Sequence, residues 1–168
     1  MKLLILGAGG HGQAVAELAQ LMGKFEEIAF LDDNLSAHPD VIGTLHDYYK
    51  WQTIYDCAFA AFGNPELRKK WQEKAIEAGY RLPILMHPTA NVSRSAVFGA
   101  GTVIMAKAVV QPHVRCGEGC ILSACTIVDH DAKVGDYCHI NAGAIVSALT
   151  EVPSETKVDY GTIWRKTN

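Results

Sequence analysis

VIMAKA VVQPHV RCGEGC ILSACT IVDHDA KVGDYC HINAGA IVSALT, residues 103–150 written in sixes, has an apolar second residue in every group. The frame runs without insertion from Asn91 to Asn168, as thirteen hexads in 78 residues. Position two is apolar throughout, from Val92, Phe98 and Ile104 to Val152, Val158 and Trp164. Position six is small in nearly every hexad, as at Ala96, Thr102, Ala108, Cys120, Ala132 and Ala144, with Val114 the largest apolar exception. A six-residue repeat of this kind predicts a parallel β-helix. Each hexad supplies one short strand and one turn. The position-two side chain points inward and the small residue fits the corner. Three hexads close one triangular coil, so the repeat predicts just over four coils of 18 residues.

Residues one coil apart stack about 4.8 Å from each other on neighbouring strands. Position one faces outward and forms three columns. The first is Asn91, Val109, Ile127, Ile145 and Ile163, an aliphatic stripe that calls for a partner surface. The second is Val97, Arg115, Lys133 and Glu151, which should face water, and the third is Val103, Ile121, His139 and Lys157. A three-sided prism with one apolar face suggests a cyclic homotrimer.

Within this frame "TIVDHDAKVG", residues 126–135, places His130 in the turn just past the aliphatic stripe, between Asp129 and Asp131. Its stacked neighbours are Pro112 and Ala148, neither of them charged. A carboxylate on one ring nitrogen fixes the tautomer and makes the other nitrogen a better base. That suits removal of a proton from an amine or hydroxyl attacking a thioester. His139 lies on a different face and could approach His130 of a neighbouring copy.

The chain ahead of the repeat alternates strands and helices. "KLLILG", "EEIAFLDDN" and "DCAFAAFGN" read as strands, "HGQAVAELAQLMGK" and "PELRKKWQEKAIEAGY" as helices, and "RLPILMHP" as a short last strand. This order predicts a parallel sheet with right-handed crossovers. The predicted domains are 1–88, a Rossmann-like α/β unit, and 89–168, the β-helix. Gly7, Gly9 and Gly12 in "GAGGHG" fit G-x-G-x-x-G between a strand and a helix, where backbone N–H groups can meet a phosphate. Asp32 follows 20 residues after Gly12, where a carboxylate can bind a ribose or base. No second glycine-rich half follows, so a nucleotide or nucleotide sugar fits better than a dinucleotide.

Composition narrows the classes. The chain has 168 residues, 49% apolar and 20% charged, with a net charge of −3. Those values are ordinary for a globular protein and imply no nucleic-acid partner. No apolar run approaches the ~20 residues of a membrane span. The N-terminus lacks the features of a signal peptide. The five cysteines, Cys57, Cys116, Cys120, Cys125 and Cys138, form no C-x-x-C and read as reduced thiols of a cytoplasmic protein.

The repeat resembles the hexapeptide acyltransferases. "LGAGGHG", "FLDD", "AFGNPELRKK", "HPTA" and "VDHDAKVGDYCHI" resemble, in order, motifs of the bacterial nucleotide-sugar acetyltransferases that include the PglD and NeuD proteins. The resemblance implies a left-handed β-helix and acetyl transfer from acetyl-CoA to a nucleotide-linked 4-amino sugar, within a homotrimer whose active sites lie between subunits. It implies His130 as general base and Asp131 as the residue that raises its basicity. His139 and Ala148 would contact acetyl-CoA. Gly9, Gly10 and His11 would hold the nucleotide phosphates, and Asp32, Asp33 and Gly63 would meet the substrate. Acetyl-CoA would be a co-substrate, with no metal and no permanently bound cofactor.

Three other readings stand beside this one. The same base could serve an O-acetyltransferase acting on a sugar or sialic acid hydroxyl. Relatives continue for further coils, whereas this sequence stops one hexad into a fifth, so it could be a nucleotide-sugar-binding trimer that has lost acetyl transfer. A γ-class carbonic anhydrase would need three converging histidines. His113, His130 and His139 are separated by 17 and 9 residues, out of phase with that arrangement.

Overall fold

The computed structural model describes residues 1–165. The chain divides into two compact units, Met1–Pro83 and Ile84 onward.

In the first unit, strands β1 (Lys2–Leu6), β2 (Glu27–Leu31), β3 (Val41–Gly43) and β4 (Cys57–Ala60) form one parallel sheet in the order β3-β2-β1-β4. Helix α1 (Gly10–Met22) follows β1, and α2 (Pro65–Glu77) follows β4. After Lys2, β1 is apolar because it is central, and Leu3, Leu4, Ile5 and Leu6 are all fully buried. α1 buries Val15, Leu18 and Ala19 and ends at Gly23, whose φ of 64° makes the left-handed stop. α2 begins with Pro65 in its first turn and with Asn64 capping it, the Leu67 N–H donating to Asn64 Oδ1 at 2.8 Å. The short strand β3 and a 3₁₀ turn at Leu45–Lys50 extend the sheet's β2 edge, and neither is signalled by periodicity.

The second unit is the left-handed parallel β-helix. Thirteen two-residue strands, from Asn91–Val92 to Ile163–Trp164, occupy positions one and two of the thirteen hexads. They stack in three parallel sheets with partners 18 residues apart, such as Ile127 with Val109 and Ile145. The interior is the position-two column set: Ile104, Val110, Leu122, Val128, Ile140, Val146 and Val152 are at most 2% exposed. The corner residues Ala108, Val114, Cys120, Ala132, Cys138 and Ala144 are completely buried.

The boundary differs from the expected one. β5 (Leu85–Met86) pairs in parallel with Val103–Ile104 and so belongs to the β-helix, not to the α/β unit. The reason is phase: Leu85 lies one coil before Val103, and "LMHPTA" is itself a hexad with Met86 at position two and Ala90 at position six. Pro83, His87 and Pro88 mask its likeness to the later hexads.

Every position-five residue from Gly101 to Gly161 has a positive φ, between 56° and 70°. Seven of these eleven corners are not glycine: Lys107, His113, Cys125, Asp131, Tyr137, Leu149 and Glu155. A left-handed non-glycine residue costs on the order of 1 kcal/mol, and the coil-to-coil ladder holds it there. Of the outward columns, Arg115, Lys133 and Glu151 are exposed as expected, whereas Leu85, Val103 and Ile121 are at most 1% exposed.

Candidate active site

His130 sits in the turn after the strand Ile127–Val128, and the turn is fixed by backbone bonds to both neighbouring coils. The Asp131 N–H donates to the Pro112 carbonyl at 3.0 Å, and the Leu149 N–H donates to the His130 carbonyl at 3.1 Å. The Asp129 carboxylate accepts the His130 N–H at 2.8 Å. The ring is left to Asp131: His130 Nδ1 lies 2.9 Å from Asp131 Oδ2. An ionised carboxylate only accepts, so Nδ1 carries the proton and Nε2 holds a free lone pair. This bond is the main reason that the His130 pKa lies above the usual imidazole value and that the Asp131 carboxyl lies below the usual carboxylate range. Both side chains are open to solvent, His130 at 52% and Asp131 at 43%. The arrangement is a base of set tautomer on an exposed turn, able to take a proton at Nε2.

The second oxygen of Asp131 is also engaged. His113, one coil below, places Nδ1 3.3 Å from Asp131 Oδ1. Nothing in the motif reading singled out this contact, although the 18-residue period contains it.

His139 lies on another face, with Nε2 3.1 Å from Ser123 Oγ. It is not brought to His130 within one chain. Ala148 is half-buried in the turn stacked above His130. Cys116, Cys120 and Cys138 fill the coil, whereas Cys125 is exposed at a corner; Cys120 Sγ donates to the Gly135 carbonyl and Cys138 Sγ to the Pro153 carbonyl, both at 3.0 Å. The Cys120 thiol is pushed far up, by a hydrogen bond with Cys116 and by burial, so it offers no thiolate nucleophile.

In the first unit, the glycine-rich turn joins β1 to α1 at the carboxyl edge of the sheet. Gly7 has φ 104°, and a Cβ on Gly12 would stand 2.0 Å from the Gly7 carbonyl oxygen. These two glycines close the turn. Gly9 and Gly10 are exposed, and a Cβ on either would meet nothing within 4 Å, so they leave open space over the helix start. α1 has no acidic residue in its first turn and no side-chain cap, so its first N–H groups can meet an anion.

Asp32 braces this turn. Its Oδ2 accepts the Ala8 N–H at 2.7 Å and its Oδ1 accepts the Asn34 N–H at 2.8 Å. Asp33 Oδ1 accepts the Leu45 N–H at 3.1 Å. Gly63 is exposed in the loop after β4. The fully buried Arg68 donates from one guanidinium nitrogen to the Phe62 carbonyl at 2.6 Å and the Gly63 carbonyl at 3.2 Å. His11 lies behind the turn, with Nε2 sealed from solvent and without a hydrogen-bond partner. Burial first, and then the Arg68 charge, bring its pKa down from 6.5 to about 4. Gly9, Gly10, His11, Asp32, Asp33 and Gly63 thus gather at one edge of the sheet, beside the strand where the order reverses. Sequence reasoning missed Arg68, which reads as one more charge on an exposed helix.

Comparisons with known proteins converge on one group. Residues 2–75 match the PglD N-terminal domain. The UDP-N-acetylbacillosamine N-acetyltransferase of Bacillus subtilis (strain 168) is 35% identical over 115 residues, which is 61% of this chain and 50% of that protein. The matched stretch therefore spans half the length of that curated relative. The acetyltransferase domain of PglB from Neisseria gonorrhoeae FA1090, solved in complex with acetyl coenzyme A, superposes with a TM-score of 0.91 at 40% identity, over 98% of this chain and 82% of that one. PerB from Caulobacter crescentus, solved with CoA and GDP-perosamine, shares the fold, with a TM-score of 0.86 at 24% identity over 99% of this chain and 89% of that one.

Proposed function

Because the chain belongs to the PglD-like family of nucleotide-sugar acetyltransferases, we propose that it transfers the acetyl group of acetyl-CoA to the amino group of a nucleotide-linked 4-amino sugar. The observation that carries this reading is the His130–Asp131 pair, 2.9 Å apart on an exposed turn with Nε2 free. The neutral sugar amine attacks the thioester carbonyl. His130 Nε2 accepts the amine proton as the C–N bond forms. The C–S bond then breaks, and the proton passes to the departing sulfur to give free coenzyme A. Asp131 holds the Nδ1 proton throughout and stabilises the imidazolium as it forms, without taking the proton itself. No acyl-enzyme is needed, and Cys120 and Cys138, buried and hydrogen-bonded in the coil, are not placed to form one.

The glycine turn supports binding of the nucleotide diphosphate. Gly9 and Gly10 admit close approach, and the N-terminus of α1 supplies N–H donors. Asp32 acts first as the brace of that turn, and Arg68 fixes the Gly63 loop. His139 and Ala148 are assigned to acetyl-CoA. The outward column Val109, Ile127, Ile145 and Ile163 keeps exposed apolar surface, with Ile127 37% and Ile163 56% exposed. It supports a homotrimer in which His139 of one copy meets His130 of the next. No helix among the described residues is long and apolar enough to cross a membrane, and we place the protein in the cytoplasm.

The test is mass-detected acetyl transfer from acetyl-CoA to UDP-, dTDP- and GDP-linked 4-amino sugars, with His130→Ala alongside. One acetyl group gained on one sugar, and lost in the variant, establishes the activity, the acceptor and the base. Transfer to hydroxyl acceptors alone would replace the amine in this scheme. Nucleotide-sugar binding without any transfer would refute it.

A further inference from the structure

We propose that His113 is a positioning residue for the base: it anchors the second oxygen of Asp131, so that the first stays on His130. The inference rests on the reading of His130 as the base. Asp131 has two oxygens and each faces a different imidazole, Oδ2 at 2.9 Å from His130 Nδ1 and Oδ1 at 3.3 Å from His113 Nδ1. His113 and Asp131 occupy the same corner of successive coils, both left-handed, with φ values of 63° and 59°. Each corner is held from below through its own N–H: the Ser95 hydroxyl oxygen accepts the His113 N–H at 3.0 Å, and the Pro112 carbonyl accepts the Asp131 N–H. The spacing between the two side chains is therefore set by the coil and does not depend on their own bond.

Asp131 needs such an anchor because it has competitors. It borders a depression of about 320 Å³ whose lining includes Arg115 and Lys133 as well as Ser95, Val97 and His113. Either cation could draw an unanchored carboxylate away from His130. The remaining neighbours of His130 do not compete for it. Asp129 is occupied by the His130 backbone N–H, and the stacked positions above and below are Ala148 and Pro112. His113 Nδ1, facing Oδ1 at 3.3 Å, opposes the rotation that would turn Oδ2 away. It uses Nδ1 for this, as His130 does, and touches no reacting atom.

The anchor makes two substitutions informative. His113→Gly removes the donor and relaxes the left-handed corner, so any loss cannot come from backbone strain. His113→Asn keeps an N–H donor at about the place of Nδ1 and suits a left-handed corner. The imidazole signals of His130 are followed by NMR across pH in the wild type and both variants, beside pH profiles of acetyl transfer. In His113→Gly, His130 titrates at lower pH, kcat falls about tenfold out of the ~10²–10⁴ that a general base supplies, and KM for both substrates holds. In His113→Asn both readouts return toward the wild type. A His130 titration that is unmoved or moves upward in His113→Gly overturns the proposal, as does a kcat that does not fall in an active enzyme. If the wild type acetylates nothing, the titration alone decides the role of His113, and the acetyl-transfer reading fails separately.

Discussion

Acidification should weaken the first unit through His11, by an amount that the structure sets. The unfolded chain takes up a proton on this imidazole near its ordinary value of 6.5, whereas the folded chain resists protonation down to about 4. The folded pKa is depressed, so this contribution is intact above pH 6.5 and is lost as pH falls toward 4. The difference of about 2.5 units corresponds to a ceiling of ~3.4 kcal/mol, at 1.36 kcal/mol per unit. At pH 5 most of it is already gone, and linkage gives a loss of about 2 kcal/mol between pH 7 and pH 5. Carboxylates also titrate on this path, so the measurement must be a difference. Urea unfolding of the wild type and His11→Gln, both in a Trp51→Phe, Trp164→Phe background so that fluorescence reports Trp71, which is 4% exposed in the core of this unit, isolates the histidine. Glutamine stays neutral, and whatever it costs at pH 7 it costs equally at pH 5. The wild type should lose about 2 kcal/mol more than the variant between the two pH values. Parallel losses would refute the account of a sealed, neutral His11 beside a buried Arg68.

The glycines of the first turn should separate by role. Gly12→Ala drives a Cβ into the Gly7 carbonyl and should cost about 3 kcal/mol in thermal or urea unfolding, while Gly9→Ala and Gly10→Ala, which meet nothing, should leave stability within ~1 kcal/mol and raise KM for the nucleotide sugar. Asp131→Asn replaces the charged acceptor that raises the His130 pKa by a neutral amide, so the rising limb of the pH–rate profile should move to lower pH and the plateau should drop roughly 10²-fold; the sign follows because a depressed imidazole pKa frees the base earlier but weakens it. Ile145→Asp puts a charge in the middle of the apolar column, and sedimentation velocity should then show monomer, against the trimer expected of the wild type under the proposed assembly.

The β-helix was legible because its repeat is redundant. Thirteen hexads state the same apolar position, and no single residue can disguise it. The opening hexad was less legible, since Pro88 within it, Pro83 just before it and the jump from the α/β pattern hid the phase of Met86 and Ala90. The left-handed corners were invisible for a chemical reason. Glycine is the residue that signals such a conformation, and seven of eleven corners carry a side chain instead. Asp32 shows a different limit. A carboxylate after the second strand suits a ligand, and in the fold both its oxygens hold backbone N–H groups of the loops around it. Sequence spacing places the residue, but the backbone geometry decides which donors reach it first.

The same contrast explains why the site around His130 was only half seen. His130 and Asp131 are neighbours in sequence, so a motif can record them. His113 lies 18 residues before Asp131, and it becomes a neighbour only because the coil closes on that period. On a β-helix, every polar residue at a corner has a fixed companion one coil away, whatever separates them in sequence. A corner column is thus a more natural unit of function than a linear motif. Ser95, His113, Asp131 and Leu149 form such a column. The Ser95 hydroxyl holds the His113 N–H and the backbone ladder holds the corners above it, so the side chains of His113, Asp131 and Leu149 can be changed one at a time without moving the others. That independence lets His113 tune a base that it does not touch.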